Sequence, residues 1–293
     1  MDDFQPRPAD RGSVVFFHAH PDDEAIFTGG TMARLAADGW RVVLVVATQG
    51  ELGAPRAPGD AAEAVAAHRV TETRQAADLL SVARLEFLGY HDSGMLGDAA
   101  NSAPGAFWAA DSDDVARRMA LLLKEERAVA LVVYDQTGIY GHPDHVKVHE
   151  VGVRAAELAG VDAVYEVTVD REYLHFVETH LVIEAGAKRT TRGPEEGDLG
   201  LAASAIGMPT VLVTATVDVR PVLDRKRAAM GAHGSQIPET ASAMRLPTEA
   251  FAAVYGYEWF VRRGPERPPE RGEGRGDRDG GPIESLAGEA GGW

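Results

Sequence analysis

Apolar residues gather along this chain in unbroken blocks rather than in alternation. Val14–Phe17, Val42–Ala47 and Ala128–Tyr134 are continuous, and Leu85–Tyr90 and Val164–Val169 are nearly so. Runs of this length without alternation predict strands covered on both faces, which is the signature of a parallel sheet under helices. Between them the period changes. Met32, Leu35 and Ala36 recur at helical spacing before Gly39, and Val65, Ala66, Val70, Ala77 and Leu80 form a loose stripe over 61–80. Val115, Met119, Leu122 and Leu123 follow the start signal Ser112-Asp113-Asp114, and a further helical pattern fills 146–159. Val211–Val217 predicts a last strand and 219–233 a last helix. The order is strand, helix, strand, repeated: an α/β fold with a mostly parallel sheet flanked by helices.

The polar residues concentrate where the strands should end. The first strand runs into Ala19-His20-Pro21-Asp22-Asp23-Glu24, and Pro21 ends the ladder and stiffens the turn. The second runs into Thr48-Gln49-Gly50-Glu51, the third into His91-Asp92-Ser93-Gly94, and the fourth into Asp135 through Tyr140-Gly141-His142-Pro143-Asp144-His145. In open α/β sheets the crevice beyond the carboxyl ends of the strands holds the ligand. Asp22, Asp23 and Glu24 could merely favour the positive end of a helix. That explains the acids but neither His20 nor the second His-Pro-Asp turn, which should lie on the same sheet edge. Gly29-Gly30 is no dinucleotide fingerprint, having the wrong spacing and acid where a phosphate would sit.

Composition narrows the chemistry. No cysteine occurs among the 293 residues, so any metal site must be built from His, Asp and Glu. A net charge of −16 argues against nucleic acid and anionic membrane as partners. No apolar run approaches the roughly 20 residues that span a bilayer, and the acidic first residues lack a secretory signal, so a cytoplasmic protein is expected. Residues 264–293, nearly all Gly, Pro, Arg, Asp and Glu, are expected to be a disordered tail. The domain organisation expected is an extension over 1–12, one domain over 13–263 and that tail; whether the chain forms homo-oligomers is not legible.

His20 and Asp23 stand three apart in one loop, His142 and His145 three apart in the other. Two imidazoles and one carboxylate leave a position open for water, the catalytic type of zinc site and equally a non-haem iron site. Bound water then reaches a pKa of roughly 7. Hydrolysis further needs a base, an acid for the leaving group and an oxyanion donor. Asp22, His142 with Asp144, and Tyr140 suit those tasks, although His142-x-x-His145 also permits a fourth ligand.

Ala19-His20-Pro21-Asp22-Asp23-Glu24, followed far downstream by Gly141-His142-Pro143-Asp144-His145, resembles the LmbE-like, or PIG-L, metal-dependent de-N-acetylases. The likeness spans roughly residues 13 to 260 and takes in Thr48-Gln49-Gly50-Glu51, Arg69-x-x-Glu72 and Asp92-Ser93-Gly94. It implies a Rossmann-like fold, one Zn2+ or Fe2+ per chain, and removal of the acetyl group from an N-acetylglucosamine-type amino-sugar conjugate. It further implies His20, Asp23 and His145 as ligands, Asp22 as general base, His142 as general acid or electrophile with Asp144 orienting it, and Tyr140 as oxyanion donor. Glu51, Arg69 and Asp92 would contact substrate. The branch most similar is that of the mycothiol pathway, the deacetylase of N-acetylglucosaminyl-inositol and its amidase relative. Beside these readings stands a binding module without turnover, which would need neither a base next to the ligands nor a paired His142 and Asp144.

Single residues carry plainer expectations. His18 should pack behind the site, and His149, four after His145, is a weaker substitute ligand. His68, His91, His175 and His180 should be ordinary surface residues, while His233-Gly234-Ser235-Gln236 could return near the site. Arg69 and Glu72 by themselves suggest a solvated i,i+3 contact, and Phe107 and Trp108 could line a substrate mouth. Lys188–Gly200 is expected as a mobile loop.

Overall fold

The computed structural model describes residues 12–55, 57, 59–177, 206–263 and 281–287. Seven strands form one sheet in the order β3-β2-β1-β4-β5-β7-β6. β1 (Ser13–His18), β2 (Arg41–Thr48), β3 (Arg84–Tyr90), β4 (Ala128–Tyr134) and β5 (Ala163–Thr168) are parallel. Short α1 (Asp23–Phe27) and α2 (Gly29–Ala37), then α3 (Ala62–Leu80), α4 (Ser112–Glu125) and α6 (Pro143–Ala159) make the crossovers, with a kinked turn α5 (Gly138–Gly141) leading into α6. The continuous apolar runs are buried on both faces, as their lack of alternation requires: every residue of β1 is buried, and all of β2 after Arg41. Gly152 lets α6 lie close against the sheet; a Cβ there would stand 2.5 Å from Val133 Cγ1.

The chain starts in the middle of the sheet, moves outward to β3, then returns to the other side of β1 as β4. Strand order therefore reverses between β1 and β4, where Phe16 pairs with Val132. Such a switch point leaves a crevice at the strands' carboxyl ends. Both His-Pro-Asp loops leave from these two strands and so face one another.

Beyond β5 the sequence pattern was less reliable. Val211–Val217 is not one strand: Thr210–Leu212 is a 3-10 turn after Pro209, Val211 is exposed, and only Ala215–Asp218 (β6) joins the sheet. β6 pairs with β7 (Tyr257–Arg263), which runs antiparallel to β5 and was not foreseen. The helix expected over 219–233 is Leu223–Ala232, after a 3-10 turn. Glu258 of β7 accepts from Gly30 N and Thr31 N at 2.8 Å each and pairs with buried Lys226 at 2.7 Å, fastening the start of α2 to the last strand. α6 begins at Pro143 rather than 146, because proline suits the first helical position.

The tail expectation needs correction over part of its length. Ile283 and Leu286 are buried in the main core, Ala287 bridges to Val217, Arg34 donates to Leu286 O, and Glu284 meets Tyr165 and Arg262. Two apolar side chains three apart offset the ordering of this short segment, which composition averaged over 264–293 conceals. The expected loop 188–200, His180, the extension up to residue 11, and tail residues 264–280 and 288–293 lie outside the described residues. Among the described residues no helix is long and apolar enough to cross a membrane.

Candidate metal centre and active site

The two loops bring three ligand-type atoms into one triangle. His20 Nδ1, His145 Nε2 and Asp23 Oδ2 are separated by 3.3 Å along every edge. Tetrahedral ligands at about 2.0–2.2 Å from zinc stand about 3.3–3.6 Å apart. The residues thus fit a single divalent ion. Buried Asp23 is drawn well below the usual carboxylate range: burial opposes ionisation, but His145 and His20 outweigh it. His142, also buried, shares a cluster of donor atoms within 4.8 Å with His20 and His145.

Behind the triangle stands Tyr134, the last residue of β4, which the sequence reading counted only as an apolar strand residue. Its hydroxyl donates to Asp23 Oδ2 at 2.8 Å and accepts from Ala19 N at 3.0 Å, and its ring stacks on His145 at 4.1 Å. His18 is packed there as expected, bonded to Tyr134 and Thr28, and burial lowers its pKa to about 4.

Asp22 occupies a backbone conformation with φ +103°, rare for a side chain other than glycine, at a cost of about 1–3 kcal/mol. Its carboxylate lies 3.1 Å from Arg69. Burial pushes its pKa up to about 7, only partly opposed by Arg69 and reinforced by Asp23. Ile139 has φ +64° in the turn that presents Tyr140, another strained residue, held by Asp135 Oδ1 on Ile139 N at 3.0 Å. Tyr140 Oη stands 3.4 Å from His145 Nε2, and burial beside Asp23 and Asp22 keeps the phenol protonated well above its usual range.

Asp144 was expected on the His142 ring; the structure corrects this. Its Oδ2 instead meets His20 Nε2 at 3.2 Å and accepts from Ser93 N at 2.9 Å, while His142 Nδ1 accepts from the Asp144 backbone N at 3.2 Å as the cap of α6. The start of a helix turns the side chain at its second position away from the cap, so the proximity in sequence did not become a carboxylate–imidazole contact. The pKa of His142 is accordingly lowered, to about 4, by burial first and then by repulsion from His20 and His145.

Asp92 reaches the centre, with Oδ1 3.6 Å from His20 Nε2, and His20 is the main partner that holds its pKa far below normal against burial. Glu51 Oε1 accepts from Asp92 N at 3.0 Å and meets His91 at 2.7 Å. Arg69 and Glu72 are buried, not a solvated pair. Arg69 donates to Gly50 O at 2.7 Å and to Pro21 O, and Glu72 accepts from Ser235 N and Oγ. His233 does return: its Nε2 lies 2.5 Å from Glu24 Oε1, both fully buried. His149 stays out of the centre, bonded to Tyr134 O, and Phe107 is buried against Phe17 rather than lining a mouth. From Asp22 and Asp23 a cavity of about 520 Å³ extends between Phe27, Tyr140, Tyr255 and Trp259.

Comparison with known proteins points to one family. The profile described as PIG-L, GlcNAc-PI de-N-acetylase, matches residues 15–156. The 1D-myo-inositol 2-acetamido-2-deoxy-alpha-D-glucopyranoside deacetylase of Acidothermus cellulolyticus is 36% identical over 277 residues, covering 90% of this chain and 92% of that protein. This chain belongs to the PIG-L family. The enzyme of the same name from Streptomyces griseus is 40% identical over 243 residues, 76% of this chain and 74% of its own. Among solved structures, N,N'-diacetylchitobiose deacetylase from Pyrococcus horikoshii shares the fold, with TM-score 0.57 and 21% identity over 89% of this chain and 87% of its own. Members of this family are metal-dependent, and the His and Asp residues that could serve are assembled here.

Proposed function

We propose that this PIG-L protein hydrolyses the N-acetyl group of an amino-sugar conjugate of the glucosaminyl-inositol type, with zinc or ferrous iron bound by His20, Asp23 and His145. The observation that carries the reading is the 3.3 Å ligand triangle with the strained, half-buried carboxylate of Asp22 beside it. The names of the curated relatives support the substrate class. A divalent ion in that triangle would supply Lewis-acid polarisation and a water of lowered pKa. Asp22, pushed up to about 7, takes the proton of the attacking water. Tyr140 keeps its phenolic proton and donates to the oxyanion that forms on the acetyl carbonyl. His142, at the start of α6 with its pKa lowered to about 4, stays neutral and offers its Nε2–H as an electrophilic donor, while the proton that Asp22 took from water passes on to the departing amine nitrogen. Asp92 and Glu51 offer acceptors for sugar hydroxyls, and Arg69 acts on that side through the backbone of Gly50 and Pro21.

A second reading, an amidase that releases a bulkier acyl group from a related conjugate, is favoured by one feature. The aromatic cavity beside Asp22 and Asp23, at about 520 Å³, is of the size that holds a drug-sized ligand rather than an acetyl group. A binder without turnover would have no use for a base and a separate histidine beside three ligands. The test is release of primary amine, read with fluorescamine, by protein loaded in turn with Zn2+ and Fe2+ and offered N-acetylglucosaminyl-inositol, N-acetylglucosamine and an N-acyl conjugate of larger size. The reading expects amine from the inositol conjugate above all. Silence on every substrate with one ion bound per chain would refute hydrolysis.

A further inference from the structure

The candidate base sits in a left-handed conformation that its own side chain does not favour. Its carbonyl starts α1, accepting from Ala25 N at 3.0 Å and Ile26 N at 3.1 Å, but no glycine relieves the strain at φ +103°. Two outside clamps meet on this one residue. From one side Arg69 grips Pro21 O and the Asp22 carboxylate. From the other, Glu24 Oε2 accepts from Asp22 N at 3.0 Å while Glu24 Oε1 is held by His233 Nε2 at 2.5 Å. The two clamps are joined behind the loop. Glu72, three residues after Arg69 on α3, accepts from Ser235 N at 2.8 Å and Ser235 Oγ at 2.6 Å, two residues after His233. The chain therefore closes a ring from Asp22 through Arg69, α3, Glu72, Ser235, His233 and Glu24 back to Asp22. Glu24, Glu72, Arg69 and His233 are all buried, and none of Glu24, Glu72 and His233 belongs to the ligand triangle.

We propose that Glu24 and His233, tied to α3 through Ser235 and Glu72, are positioning residues that hold the backbone of Asp22 in the conformation from which its carboxylate serves as base. This rests on the hydrolytic reading, yet its first test does not need turnover. In zinc-loaded protein, amide hydrogen exchange over residues 21–27 should quicken at least tenfold in His233→Ala. His233→Gln, whose side-chain amide can still donate to Glu24, should return it to within threefold of the parent. In the second arm kcat per bound zinc should fall tenfold or more in His233→Ala with KM within twofold, and His233→Gln should recover most of that loss. Unchanged exchange at 21–27 in His233→Ala overturns the proposal, as does a kcat loss that vanishes once activity is expressed per bound zinc. If the parent releases no amine from any conjugate, the hydrolytic reading fails while the exchange arm still decides whether His233 holds Asp22. Should His233→Ala not fold, Glu72→Ala, which removes the acceptor of both Ser235 bonds and so cuts the ring, is judged by the same exchange and kcat criteria against the parent.

Discussion

Removing one oxygen atom from Tyr134 would weaken the metal centre without touching a ligand. In Tyr134→Phe the ring remains to stack on His145, but Asp23 loses a donor at 2.8 Å and Ala19 N loses its acceptor at 3.0 Å. The phenol is fully buried, and burial together with the charge of Asp23 keeps it protonated, so it acts as a donor at every working pH. A hydrogen bond to a charged group is worth about 1.5–3 kcal/mol, and a buried amide left unpaired costs about 1–3 kcal/mol. Allowing for coupling between neighbouring groups, the metal-free variant should lose about 2–5 kcal/mol of stability by urea unfolding. Metal affinity, measured by competition with a chelator of known strength, should fall about 10–100-fold because Asp23 is no longer oriented. Affinity within twofold of the parent would refute the claim that Tyr134 orients the ligand.

Other predictions follow from the same contacts. Asp22 must be ionised to act, and burial pushes its pKa up to about 7, so amine release should climb with rising pH on a limb at or below about pH 7, since a bound cation can only lower that value; a rate that falls over this range would contradict the assignment. His233 has its pKa raised because Glu24 outweighs burial, so its stabilisation is complete below about 6.5 and is lost as pH rises through the higher folded value. The stability gap between parent and His233→Ala should therefore shrink on going alkaline, and a gap that widens would be wrong in sign. Truncation after Arg263 removes the burial of Ile283 and Leu286 and should cost about 2–5 kcal/mol, seen as a lower Tm; an unchanged Tm would mean the segment contributes nothing.

Four of the five parallel strands were legible because burial on both faces leaves a nearly unbroken apolar run, while β3, a half-buried strand at the sheet edge, is interrupted by Glu86; the centre was legible because two such runs end in His-Pro-Asp. What failed was whatever depends on a partner distant in sequence. Tyr134 reads as one more apolar strand residue until Asp23 and Ala19 arrive from β1. Arg69 looked like surface, yet it follows Val65 by four and Ala66 by three, so it lies on the buried stripe of α3, a signal that helical spacing does carry. Asp144 stands two residues from His142, but the helix that starts between them sends its carboxylate to His20. β7, rich in the β-forming Tyr257, Trp259, Phe260 and Val261, carried a strand signal that went unread and pairs with β5 and β6. The docked segment 281–287 is two apolar residues in a tail of otherwise disorder-prone composition.

Bound metal and amine release, measured side by side in Asp22→Asn and Asp23→Asn, test most directly the division of labour between adjacent carboxylates. Asp23 closes the triangle with His20 and His145, whereas Asp22 lies outside it against Arg69. Asp22→Asn should hold about one ion per chain like the parent and lose about 10²–10⁴-fold in kcat, the usual contribution of a general base. Asp23→Asn should lose the ion and, with it, activity. An Asp22→Asn protein that cannot hold metal, or an Asp23→Asn protein that holds it as the parent does, would contradict the account.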